Sequence, residues 1–202
     1  MTRWMPARRS SADGRTLSAQ VPADSVLFVD AAGAGAICWG RLFPAGEDIA
    51  RQAAAEWWGT AARAAGQASH LAARGVRVLG GGALARLVTR ALPTGTVRGE
   101  GEDADVVVDT TGDPAVIGAA LVAAPRLGAV LLAAPPVEPE IAVRTYTDIH
   151  VRGLTVAGIP WAAGTAPGGA DADGLAWALD HLTTSKPGQP VDPAPWYGLV
   201  PS

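Results

Sequence analysis

The chain has 202 residues, 49% apolar and 17% charged, with a formal net charge of -3, so it can bury a substantial core as one globular domain and holds no general attraction for nucleic acid. No apolar run reaches the ~18 residues of a membrane-spanning helix, and no signal-peptide stretch follows Arg3, Arg8, Arg9 and Arg15, so a cytoplasmic protein without membrane or nucleic-acid partners is expected. Cys38 is the only cysteine, Lys186 the only lysine, and His70, His150 and His181 lie far apart, which argues against an internal disulfide, a cysteine zinc cluster, a buried Schiff-base lysine or any other metal site.

Residues 1–24 show no periodicity and read as a flexible tail ahead of a single domain over 25–186, with a Pro-rich tail over 187–202. Val26 to Asp30 is the first expected strand, and the Gly-rich run Ala31 to Ala36 reads as a loop or a strand pair. From Gly46 to Gly75 the chain is alanine-rich and helix-prone. Gly59 and Gly66 are expected to divide it into two helices, with Trp57 and Trp58 as core or interface aromatics.

The run Val76-Arg77-Val78-Leu79 then enters Gly80-Gly81-Gly82, and apolar residues recur at Leu84, Leu87, Val88 and Leu92. This is strand, tight turn and helix. Gly80, Gly82 and Ala85 fit the dinucleotide fingerprint, in which one glycine permits the turn, the next lets a pyrophosphate approach the backbone, and a small third residue seats the helix on the strand. The helix should start near Ala83, its positive dipole end toward the phosphates. Glycine is abundant, 25 of 202 residues, so the pattern is also what a turn needing glycine only for shape would show.

Pro93 stops that helix, and the interval to Ala104 has room for one short strand, Thr96 to Arg98, and a turn. Glu100 falls 20 residues after Gly80, where a carboxylate can take adenosine ribose hydroxyls; Glu100, Glu102 and Asp103 equally read as a solvated acidic turn. Arg98 is a candidate for a 2′-phosphate. Asp105 to Asp109 is a buried strand, Thr110-Thr111-Gly112 its turn, and Asp113 with Pro114 the start of a helix burying Ile117, Ala120, Leu121 and Ala124. Ala129 to Ala134 is another apolar strand, so Thr110, Thr111, Gly112 and Ala133 should share the carboxyl edge with the glycine turn. Leu154 to Gly158 is a last sheet strand, and Asp171 or Asp173 can cap a final helix carrying Leu175, Leu179 and Leu182.

The segments Asp105 to Pro114, Leu127 to Leu132 and His150 to Gly158, with the glycine turn ahead of them, resemble the coenzyme-binding half of the medium-chain dehydrogenase/reductase family, the zinc-type alcohol dehydrogenases and their relatives. The resemblance covers about Val76 to Gly158. It implies an α/β, Rossmann-like parallel sheet with helices on both faces, here with a shortened second strand-helix unit and an N-terminal helical extension. It also implies a homodimer through the edge strand Leu154 to Gly158. The family's barrel-like catalytic domain and its zinc ligands have no counterpart expected in the 75 residues before Val76, so the chain reads as a truncated relative.

Two functions follow from this. One is a metal-independent oxidoreductase that uses NAD or NADP on a small carbonyl or imine metabolite, with Tyr146, Asp148 and His150 as proton-donor candidates by type and Trp161, Trp57 and Trp58 as pocket walls. The other is a dehydrogenase-derived fold that has lost redox function and serves as a cyclase or isomerase, a small-molecule-binding protein or a partner subunit.

Overall fold

The computed structural model describes the backbone of residues 3–9, 17–18, 25–29, 37–44, 49–135, 140–161 and 199–200, and side chains within 51–135 and 140–161. The first strands are β1 (Arg3–Arg9), β2 (Leu17–Ser18), β3 (Ser25–Val29) and β4 (Ile37–Pro44). They pair antiparallel in the order β2-β1-β4-β3, and Leu199–Val200, the strand β9, adds to β3. Strands thus occur in both expected tails, where the sequence shows no alternation; β1 and β9 form by long-range pairing with β4 and β3, and β2 pairs with the nearby β1.

The alanine-rich segment is one helix, α1 (Ile49–Leu71), and not two. Glycine inside a helix costs about 1 kcal/mol relative to alanine. Burial of Ala53, Ala54, Trp57, Trp58, Ala61, Ala64, Ala65 and Ala68 on one side outweighs that cost at Gly59 and Gly66.

Four short apolar runs form the second sheet: β5 (Val76–Leu79), β6 (Val106–Asp109), β7 (Ala129–Leu132) and β8 (Thr155–Gly158), all parallel and in that order. Between them lie α2 (Ala83–Ala91), α3 (Pro114–Ala123) and α4 (Thr145–His150), a single π-type turn closed by Val151 N–H donating to the Tyr146 carbonyl. Asp113 caps α3, accepting from Ala115 N–H at 2.8 Å, as the Asp-Pro pair predicts. The period of two divides the sheet's side chains. Val76, Val106, Val108, Ala129 and Leu131 pack with α1 and α2, whereas Val107 and Val130 pack with α3.

One pairing fixes the topology. Val76 is matched to Val106 on one side and, through a single parallel bridge, to Val97 on the other. The chain therefore leaves β5 through α2 toward the Thr96–Arg98 side and later leaves β6 through α3 in the opposite direction. Right-handed crossovers in opposite directions place α2 and α3 on opposite faces. The order reverses between β5 and β6, and the second strand-helix unit is reduced to that one bridge. The expected final helix, Ala31 to Ala36, Trp196 and Tyr197 lie outside the described residues.

Candidate functional site

In a parallel sheet all strands end on one edge, and ligands of such folds enter the crevice where strand order reverses. That crevice, between the ends of β5 and β6, is built from Gly80, Thr110 and Thr111. Gly80 has φ +120°, and a Cβ on it would run into the Thr110 hydroxyl and lie 3.0 Å from the Thr111 methyl. Only glycine meets both requirements. A Cβ on the neighbouring Gly81 would meet nothing within 4 Å. Gly82 is the extended residue that opens α2, with φ −78° and ψ 179°, and Ala85 is buried in the helix's first turn.

The β6 side of the crevice is held by a buried carboxylate. Asp109 accepts from the Thr111 hydroxyl at 2.7 Å, the Thr111 N–H at 3.0 Å and the Gly112 N–H at 3.0 Å. Burial raises its pKa, the Thr111 and Gly112 hydrogen bonds oppose the rise, and the nearby Asp113 charge adds to it. Thr110 donates its hydroxyl to the Leu79 carbonyl at 2.7 Å, which ties β6 to the glycine turn. Both threonine hydroxyl protons are thus committed to the protein, and Thr110, Thr111 and Gly112 form a rigid wall.

A groove of about 720 Å³ starts at Gly80 and Gly81 and runs beside α2 on the side of β5 away from β6. Val78, Val97 and Leu92 contribute apolar lining; Ala85, Arg86, Thr89 and Arg90 of α2 and the segment Pro93-Thr94-Gly95 complete it. Arg86, Thr89 and Arg90 did not figure in the sequence reading, which followed only the apolar stripe of this helix. Their spacing of three and four residues was the available signal.

Glu100 is not among the groove's lining residues; it is exposed on the turn from Gly99 to Gly101. The solvated-turn alternative matches this placement, and Glu102 closes the turn by accepting from Gly99 N–H at 2.8 Å. Arg98 is drawn to the opposite end of the sheet, where its guanidinium donates to the carbonyls of Arg74 and Gly95.

At the far end of the carboxyl edge, Ala133 is buried and its carbonyl accepts from the Trp161 indole N–H at 3.1 Å. The Trp161 ring stands edge-on to Trp57, with centroids 4.6 Å apart at 73°. Trp57 is 1% exposed in α1. The two expected wall residues therefore meet each other over Ala133.

Tyr146, Asp148 and His150 are brought together, but at the other end of the sheet. Tyr146 and His150 stack at 5.4 Å and 24°, and Tyr146 is 68% exposed. Leu154 N–H donates to the Ile149 carbonyl, and Thr155 N–H donates to Gly128 just ahead of β7. α4 thus feeds the amino-terminal start of β8. Asp148 is paired with Arg144 at 3.2 Å; desolvation raises its pKa, but hydrogen bonds from Arg144 and Thr147 leave it lowered overall. Among the described residues, no three of His, Cys, Asp and Glu gather as a metal site would require, and no helix is long and apolar enough to cross a membrane.

No family model and no curated protein matches the chain. Solved structures similar to it include 2R,3R-butanediol dehydrogenase from Bacillus subtilis, with 17% identity, covering 72% of this chain and 52% of that one, TM-score 0.46. L-idonate 5-dehydrogenase from Escherichia coli is similar at 14% identity, 74% and 52% coverage and TM-score 0.42. A short chain alcohol dehydrogenase from E. coli, solved with NADH, is similar at 13% identity, 79% and 56% coverage and TM-score 0.46. The chain spans about half the length of each.

Proposed function

We propose that the chain binds a nicotinamide dinucleotide, NAD or NADP, across the carboxyl edge of its parallel sheet and serves as a metal-independent oxidoreductase of a small carbonyl or imine metabolite. The observation that carries this reading is the crevice at the strand-order reversal. There Gly80 holds a backbone conformation closed to other residues, directly against Thr110 and Thr111. A turn needing glycine only for shape would explain Gly80 alone; it does not account for the coincidence with the reversal point and an adjoining groove.

The residues present fit the group. The open flank at Gly81, the extended Gly82 and the small Ala85 leave room for a pyrophosphate to approach the backbone at the positive end of the α2 dipole. Thr110, Thr111 and Gly112 would border the middle of the dinucleotide, with Ala133 beyond them. When bound, the cofactor supplies or accepts the hydride. The protein's own part is orientation, through a wall made rigid by the buried Asp109 carboxylate, and exclusion of water by Trp161 and Trp57. Tyr146, Asp148 and His150 have no part in it.

The non-redox alternative has one observation in its favour. Trp161 covers Ala133, the stretch of edge that a nicotinamide ring would need. Calorimetric titration of the whole chain with NAD, NADH, NADP and NADPH tests both readings. Micromolar binding of one, weakened by Gly82→Asp, supports a dinucleotide site, and turnover within a panel of carbonyl and imine substrates supports the redox reading. Binding without turnover favours the non-redox alternative, and no heat from well-folded protein ends the dinucleotide reading.

The edge strand β8, with Val156 37% exposed, supports association of two copies through this strand, because an unpaired sheet edge with apolar side chains favours pairing. Sedimentation of a monomer at micromolar concentration is the contrary result.

A further inference from the structure

We propose that the buried Asp109 carboxylate is a proton-linked control on the crevice: an anionic ligand seats at the glycine turn together with a proton taken up by Asp109. The proposal rests on the dinucleotide reading above, whose pyrophosphate is the anion, and adds a regulation of that same site by pH.

Asp109 ends β6 and is the register partner of Leu79, the residue before Gly80. A pyrophosphate at the glycine turn therefore comes within on the order of two strand spacings of this carboxylate, roughly 10 Å. Asp109 is 0% exposed, and its donors, the Thr111 hydroxyl and the N–H groups of Thr111 and Gly112, are all neutral. The elements packed around it do not offset its charge. α3 brings Asp113, a like charge, at its cap. Arg77 of β5 gives its guanidinium to the Glu102 carbonyl, and β7 carries no titratable residue. Arg51, Glu56, Arg63 and His70 of α1 lie across the sheet, because α1 packs with Val106 and Val108 whereas Asp109 shares the alternation of Val107.

Negative charge arriving at the glycine turn thus meets an uncompensated carboxylate in a water-poor place, where the two repel far more strongly than in water. Protonation removes the conflict. Burial already raises the Asp109 pKa, which brings this step toward neutral pH. Oδ1 takes both Thr111 donors and Oδ2 the Gly112 N–H, so a proton on Oδ2 leaves the Thr111 contacts in place. The charge changes while the wall keeps its shape.

The test is calorimetric titration of the full chain with the dinucleotide that binds tightest, in paired buffers of different ionisation heat, from about pH 5 to about pH 8. The wild type should take up about half a proton per ligand at the maximum and bind about tenfold tighter at the acid end than at the alkaline end. The sign follows from linkage. An anion raises the carboxyl's pKa further, so affinity is highest below the free protein's value and falls as pH rises from there to the value in the complex. Asp109→Asn, checked for folding by circular dichroism, should lose this share of the uptake, and protons belonging to the ligand cancel in the comparison. Asp113→Asn, which keeps a helix cap, should retain the uptake and move its maximum to lower pH. Carboxyl ¹³C NMR of aspartate-labelled wild type gives a second reading that needs no variant: the late-titrating buried carboxyl should titrate at higher pH in the complex. Uptake that persists in folded Asp109→Asn, or a carboxyl titration that the ligand does not move, overturns the proposal while leaving the dinucleotide site standing. Failure of every dinucleotide to bind overturns the reading beneath it and the proposal with it.

Discussion

The two ends of the carboxyl edge are made by the same topology and are finished in opposite ways. After β5 come three glycines, and a Cβ placed on Gly81 would meet nothing within 4 Å. After β7 and β8 come Ala133 and Trp161, and the indole of the second is hydrogen-bonded over the carbonyl of the first and braced by Trp57. A parallel sheet supplies a row of strand ends. Whether a strand end can receive a ligand is decided by the bulk of the few residues that follow it. Here the glycine end is open, and the tryptophan end is covered.

The strongest way to break this contrast is Gly80→Val. The substitution forces a β-branched residue to φ +120° and drives its Cβ into Thr110, so a loss of about 3 kcal/mol or more is expected in urea denaturation. Gly81→Ala is its control. With open space at the Cβ, stability should stay within about 0.5 kcal/mol, and any change in dinucleotide affinity then reports the closeness of the ligand to the backbone. Equal destabilisation by the two substitutions would remove the case for a shaped crevice.

At the covered end, Trp161→Ala removes the Ala133 hydrogen bond and the edge-on contact with Trp57. The ring is only partly buried, so the expected loss is about 2–3 kcal/mol, below the range for a fully buried tryptophan. Near-ultraviolet circular dichroism should lose the signal of the coupled indoles. A variant as stable as the wild type would mean that Trp161 is not the cover.

Between the two ends stands Asp109. Asp109→Asn keeps the shape but points an amide N–H₂ at one of the donors the carboxylate now satisfies, at a cost of about 1–2 kcal/mol. The pH dependence has a definite sign. Because the folded pKa is raised, the protonated group's contribution to stability is complete below the ordinary aspartate range. It is lost as pH rises through the raised folded value. Denaturation midpoints across the acid range should show that decline in the wild type and lack it in Asp109→Asn.

How far these features were legible follows from what each depends on. β5, β6 and β7 are apolar runs bounded by glycine or a turn, and the α3 cap is an Asp-Pro pair, all local signals. The unbroken α1 was not legible, because burial of its alanine face against the sheet and α2 overrides Gly59 and Gly66. Strands β1 and β9 depend on partners distant in sequence, and β2 only adds to the edge that β1 provides. The withdrawal of Arg98 to the Arg74 and Gly95 carbonyls depends on where its side chain reaches after the second strand-helix unit is reduced to one bridge, which spacing alone does not encode.

The position of Tyr146, Asp148 and His150, in contrast, follows from the sequence once topology is applied to it. A segment that runs directly into a parallel strand must arrive at that strand's amino-terminal end, and β8 starts at Thr155. Residue type suggested proton donors; direction of entry puts them at the edge where the strands begin, opposite the one that holds Gly80 and Thr111. Tyr146→Phe, Asp148→Asn and His150→Ala should therefore leave dinucleotide affinity within about twofold, and stability within about 0.5 kcal/mol for the exposed Tyr146 and His150. A tenfold loss of affinity in any of the three, with the fold intact, would show that the amino-terminal edge also serves the ligand. The contrast between the two ends of the carboxyl edge would then describe only part of the site.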